Sequence, residues 1–145
     1  MHLEKQFDVK RPRSEVVAAV ANDETLIGLF PEQDTEIVSS KGNRRTTVTR
    51  YRALGRDGEA TFHFCFEPDG NITFEKVCDG RIWRQLTGSV IFEERGQGTR
   101  VRLELDGSTK TLVPEFTVRG QMHDQIEEMS QALRKRIAAS GRKPA

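Results

Sequence analysis

The C-terminal stretch Val113–Ser140, VPEFTVRGQMHDQIEEMSQALRKRIAAS, leaves this chain the fewest choices. Phe116, Met122, Ile126, Met129, Leu133 and Ile137 form an apolar stripe in it, the last five at steps of four, three, four and four residues. That spacing places them on one face of an α-helix. Pro114 suits the first turn, where its missing N–H has no partner to lose. Gly141 stands where helices commonly stop, and Arg134, Lys135 and Arg136 sit near the negative end of the helix dipole. The segment predicts a rod of about 40 Å at 1.5 Å per residue. Burying the stripe from Met122 to Ile137 is worth on the order of 8–15 kcal/mol before the entropic cost. Such a helix needs a long apolar trough, which the rest of the chain must build.

The upstream pattern fits a trough. Leu3, Phe7 and Val9 alternate with Glu4, Gln6, Asp8 and Lys10, with Lys5 the one polar residue on the apolar side; this predicts a half-buried first strand. Pro12 ends it. Ser14 or a neighbour can cap a short helix carrying Val16, Val17 and Val20, and Asp23 a second one through Leu26, Ile27, Leu29 and Phe30, stopped by Pro31. From Asp34 to Lys110 the punctuation is Lys41-Gly42-Asn43, Asp57-Gly58, Pro68-Asp69-Gly70, Asp79-Gly80 and Gly96-Gln97-Gly98, which predicts an antiparallel meander of six strands.

Turn chemistry extends this to register. A turn at Asp57-Gly58 sets Tyr51 opposite Phe64 and Thr49 opposite Phe66. A turn at Pro68-Asp69-Gly70 sets Phe64 opposite Phe74 and Phe66 opposite Ile72. The two hairpins then share one inner face of Thr49, Tyr51, Phe62, Phe64, Phe66, Ile72 and Phe74. The last hairpin, with Phe92 opposite Val101 and Val90 opposite Leu103, adds Leu105 and Leu86. A strict turn at Asp79-Gly80 turns Trp83 and Gln85 inward instead of Arg84 and Leu86, so an extra loop residue or a bulge is expected there. Cys65 and Cys78 fall on neighbouring strands but opposite faces, which predicts free thiols.

Composition removes several function classes. Lys and Arg number 23 against 22 Asp and Glu, a net charge of +1, so nothing draws the chain generally to nucleic acid. No run reaches the roughly 18–20 apolar residues of a membrane span, and MHLEKQFDVKRPR is too charged for a secretory signal. Two cysteines make neither a disulfide framework nor a tetrahedral metal site, so a cytoplasmic setting is expected. The length suits one domain over residues 1–140, with Gly141–Ala145 a frayed tail, as monomer or homodimer.

In its order of elements, and in FDVKRPRSEVVAAVAND followed by LIGLFP, then WRQLTGSVIFEERGQGTRVRLEL and the terminal helix, the chain resembles the START-type (SRPBCC) helix-grip superfamily of polyketide cyclases/dehydrases and lipid-transport proteins. The resemblance spans essentially the whole chain. It implies an α+β fold: a curved seven-stranded antiparallel sheet around a long C-terminal helix, with two short helices between strands 1 and 2. It also implies a cavity between sheet and helix that binds or carries a lipid, sterol, polyketide or isoprenoid, with no cofactor. The expected lining is Tyr51, Phe62, Phe64, Phe74, Leu86, Leu103, Phe116, Met122, Ile126 and Met129. Tyr51, the only tyrosine, is the polar handle among the phenylalanines. Met122 and Met129 suit a site that accepts varied apolar shapes, although helix packing explains them equally.

Two other functions follow from the same fold. In a cyclase or dehydratase, Tyr51 and Arg84 would serve as acid and oxyanion partner. A co-chaperone or stress-type interaction module would show an exposed apolar patch around Trp83. His63, expected between Arg52 and Glu75, reads as part of an outer charge ladder, and no two histidines have metal-binding spacing. Arg44, Arg45, Arg50, Arg52 and Arg56 read as a solvated face rather than an RNA platform, for lack of outward aromatics.

Overall fold

The computed structural model describes residues 1–53, 56–78 and 81–140. β1 (His2–Val9) leads into α1 (Arg13–Val20) and α2 (Asp23–Gly28). Then come β2 (Asp34–Lys41), β3 (Arg44–Ala53), β4 (Arg56–Phe66), β5 (Ile72–Lys76), β6 (Trp83–Arg95) and β7 (Gly98–Thr109), before α3 (Phe116–Ser140). The strands form one antiparallel sheet in the order β1-β7-β6-β5-β4-β3-β2. β1 and β2 follow each other in the chain yet lie at opposite edges. The connection must therefore cross the sheet, and α1 and α2 make that crossing while packing on α3. This is the helix-grip fold.

Why α3 stays in the trough is visible in its side chains. Val118, Met122, Ile126, Met129, Ser130, Leu133 and Ile137 are buried. Lys5, the misfit of the first strand, faces the helix and forms an ion pair with Glu127. At the far end Arg11 donates to the Ile137 carbonyl at 2.8 Å and to Ser140 Oγ at 2.9 Å, placing a cation where the helix dipole is negative.

Two hairpins have the expected register: Phe64 faces Phe74 and Phe66 faces Ile72, while Phe92 faces Val101 and Val90 faces Leu103. The β3–β4 hairpin does not. Tyr51 lies opposite Gly58 and Thr49 opposite Ala60, with Ala53 paired to Arg56. Asp57 and Gly58 are strand residues, and the glycine answers a packing need instead of a turn. The Tyr51 ring lies over it, so a Cβ there would stand 2.6 Å from the ring carbons. The inner face survives the slip, because the pairing moved by an even number of residues.

Near Trp83 the pairing of β6 with β7 shifts between Trp83 and Gln85. This bulge brings Trp83 and Leu86 both to the inner face, and leaves Arg84 and Gln85 exposed. The Asp79-Gly80 turn lies outside the described residues, as does the 141–145 tail. α3 begins at Phe116 rather than Val113, with Pro114 ahead of it accepting from the Thr117 N–H and hydroxyl. Caps also differ from expectation. Asn22, not Asp23, caps α2 by accepting from the Thr25 N–H, and Pro12 rather than Ser14 precedes α1. His63 pairs with Glu75 as expected, but its other neighbour is Thr46, whose hydroxyl lies 2.9 Å from Nδ1, and not Arg52.

Candidate functional site

Between the inner face of the sheet and the first half of α3 lies a cavity of about 180 Å³. Its floor is apolar: Phe62 from β4, Phe74 from β5, Trp83 and Leu86 from β6, Leu105 from β7, and Phe30 after α2. Val118, Met122 and Met129 form the roof. The aromatics hold one another in place. Phe30 stacks on Phe62 at 5.6 Å between centroids, and Phe74 meets Phe62 edge-on at 6.3 Å and Phe64 at 5.2 Å. Engineered apolar cavities of roughly 150 Å³ hold one benzene molecule, so this space takes a single ring or a short branched chain.

The rim is polar. Gln33, Thr49, Tyr51, Lys76, Gln121 and Gln125 line it, with Ile82 beside them. Tyr51, Gln121 and Ile82 are exposed, which places the mouth among them. Thr49 is committed to the protein, its hydroxyl 2.8 Å from that of Thr35. The Gln125 amide nitrogen is buried with no hydrogen-bond partner.

Of the ten residues expected to line the site, the structure gathers Tyr51, Phe62, Phe74, Leu86, Met122 and Met129 around this cavity. Phe64, Leu103 and Ile126 lie behind the lining as fully packed core. Phe116 is a correction: it is 78% exposed and points away from the sheet. It precedes Met122 by about one and two-thirds turns, so the two cannot share a face, and Val118 takes the position instead. Arg84 is a second correction. The bulge turns it outward, where it donates to Thr111 Oγ1 at 3.0 Å, far from any partnership with Tyr51. Lys76, Gln33, Gln121 and Gln125 line the cavity as well; being polar they fall outside an apolar pattern, although Lys76 continues the alternation of Ile72 and Phe74.

Elsewhere the chemistry is already answered. Arg45 pairs with Asp23 at 2.9 Å and Arg50 with Glu36 at 2.7 Å, so these members of the basic run are matched within the chain. Cys65 and Cys78 are free, and burial, followed by the neighbouring Glu67, pushes the Cys65 thiol up, away from a reactive thiolate. Among the described residues His2, Glu4 and Glu104 bring possible metal-ligand atoms within 4.8 Å of one another on the outer face. Arg102 already stands 3.7 and 3.6 Å from the two carboxylates. No helix among the described residues is long and apolar enough to cross a membrane.

No protein-family model matches the sequence, and no curated protein matches it. Solved structures do. A Thermus thermophilus protein aligns with a TM-score of 0.78 at 18% identity, over 98% of this chain and all (100%) of the other. A Streptomyces aromatase/cyclase aligns at 0.73 and 17% identity, over 97% and 93% of the two chains. A START superfamily protein from Mycobacterium smegmatis aligns at 0.73 and 17%, over 95% and 97%. At such identities the likeness concerns shape. Together with the strand order and the gripped terminal helix, it establishes that this chain has the START-type (SRPBCC) fold.

Proposed function

We propose that the chain binds a hydrophobic small molecule, whose apolar part enters the cavity under α3. The observation that carries this is an apolar floor and roof left unfilled inside a well-packed protein. Interiors normally close such gaps, because every unfilled surface forfeits dispersion contacts. The fold's occurrence in an aromatase/cyclase and a START superfamily protein supports the same reading. Within the classes considered, about 180 Å³ suits one ring or one isoprenoid-sized branch, with any longer lipid or polyketide portion emerging past Tyr51. A sterol exceeds it. Carrying such a molecule, rather than converting it, fits the polar groups better: Tyr51 stands at the mouth and Arg84 on the far side of β6, so an acid and an oxyanion partner do not converge. An interaction module would instead use the apolar surface beside Trp83, where Ile82 and Leu112 are exposed while Trp83 itself is 8% exposed. A cytoplasmic setting belongs to the same reading, in keeping with two free cysteines.

Trp83 is the only tryptophan and lines the cavity, so its emission reports occupancy directly. Titration with 4-phenylbutan-1-ol is expected to shift that emission saturably, and Ala60→Leu, which fills the cavity from β4, to abolish the shift. An unaltered emission with single-ring and short-chain ligands alike would remove this function.

A further inference from the structure

Two polar groups of this cavity have no partner among the described residues. Lys76 ends the inner row of β5 after Ile72 and Phe74, and lies opposite Phe62 on β4. It is half-buried at the cavity wall, and no carboxylate among the described residues pairs with it. Gln125, on the roof, buries its amide nitrogen with no acceptor. Both positions are costly. A cation beside apolar surface and a buried unpaired donor each lose hydration without return. Comparable inner-face groups go both ways: Lys5 has Glu127 and Thr49 has Thr35, while the Thr47 hydroxyl is likewise buried without a partner; what sets Lys76 and Gln125 apart is that both line the cavity.

We infer that the cavity's ligand carries a carboxylate, one oxygen of which meets the Lys76 ammonium while the other accepts from the Gln125 amide. This rests on the binding reading above and narrows it to a monocarboxylic acid with a ring-sized or short branched body. One ammonium and one neutral amide match a single negative charge. A phosphate carries up to two and asks for a further cation, yet the described remainder of the rim is Gln33, Thr49, Tyr51 and Gln121. A neutral alcohol would satisfy Gln125 and leave Lys76 unmatched. An amine would be repelled by Lys76.

The experiment titrates Trp83 emission with three ligands of one shape: 4-phenylbutyrate, 4-phenylbutan-1-ol and 4-phenylbutylamine. The acid is expected to bind about tenfold more tightly than the alcohol, the worth of one charge-assisted hydrogen bond, with the amine weakest. Lys76→Met should bring acid and alcohol together, Lys76→Arg should retain most of the preference, and Gln125→Leu should weaken the acid while sparing the fold. Alcohol or amine binding as tightly as the acid in the unaltered protein overturns the carboxylate while leaving the binding function standing. If none of the three alters Trp83 emission, the binding function itself fails and the carboxylate with it. Because the three-ligand comparison needs no substitution, it decides the matter even where a variant fails to fold.

Discussion

The two halves of α3 lie on the same sheet and are built on opposite terms. From Ser130 to Ile137 the helix packs on β1 and α1, whose Phe7, Val16 and Val20 are buried, and even the polar Ser130 is enclosed. From Val118 to Gln125 it roofs a space, and its polar neighbours Gln121 and Gln125 turn toward that space. The inner-face lysines repeat the contrast: Lys5 is paired with Glu127, and Lys76 has no carboxylate partner among the described residues. One half of the interface is finished by the chain itself, and the other is arranged as if a further molecule completes it. On the proposed function, fold stability and ligand choice rest on different residues, which substitutions can separate.

The largest difference should come from truncating the roof at each end. Leu133→Ala removes a side chain that is 1% exposed among close neighbours, and should cost about 3–4 kcal/mol in urea unfolding. Met122→Ala borders a space that already exists, so less new cavity is made and about 1–2 kcal/mol is expected. Equal losses would mean that the cavity closes in solution and that the contrast between the halves is lost.

Gly88 offers a sharper test. A Cβ there would stand 2.3 Å from the Phe74 ring and 2.9 Å from the Glu104 carbonyl. Gly88→Ala must push Phe74 toward the cavity, at an overpacking cost of about 1–3 kcal/mol. The response of Trp83 emission to 4-phenylbutan-1-ol should vanish in a protein that still folds. Retained binding would show that the ring yields in another direction.

How much of this was legible follows from the same contrast. Packed regions announce themselves, because apolar alternation and turn residues agree there. The β4–β5 and β6–β7 registers, the buried stripe from Met122 to Ile137 and the bulge near Trp83 were all readable for that reason. Asp57-Gly58 misled because aspartate-glycine favours a turn, while here the glycine makes room for the Tyr51 ring. The open end was harder to read. Lys76 and Gln125 were legible by phase, two residues beyond Phe74 and on the face shared by Met122 and Met129, but a search for apolar residues passes over them. Whether facing side chains fill a gap depends on summed volumes and on rotamers, which a pattern of residue types does not encode.

The paired lysines allow a smaller comparison. Glu127→Gln leaves Lys5 without its partner and should cost about 0.5–1 kcal/mol, as expected for an ion pair whose members remain partly exposed. Lys76→Met removes a cation that has no carboxylate partner among the described residues and places a hydrophobe beside Phe62 and Phe74, so stability should hold or rise by up to about 0.5 kcal/mol. Thermal unfolding of both variants checks the sign. A clear loss in Lys76→Met would show that the lysine serves the fold.

The smallest effects lie on the outer face of the β1–β7 ladder, where each end carries one directly opposed charged pair. Beside the cavity, His2 faces Asp106 at 2.6 Å, and that carboxylate raises the imidazole above its ordinary 6.5. Beside the packed end, Asp8 faces Arg100 at 2.9 Å, and the guanidinium lowers the carboxyl below 3.8. The signs are opposite. A raised histidine stabilises the fold fully below the unfolded value and loses this as pH rises through the folded one, so the His2 seam weakens as pH rises past the raised value. A lowered aspartate stabilises above the unfolded value and loses this as pH falls through the folded one, so the Asp8 seam weakens only in acid. Amide exchange, corrected for intrinsic pH dependence, should therefore show β1 loosening first near His2 as pH rises and first near Asp8 as pH falls. Asp106→Asn should erase the former and leave the latter. Loosening of both ends together at either extreme would mean that β1 detaches as one unit, and that the division between the halves of the interface stops at the inner face.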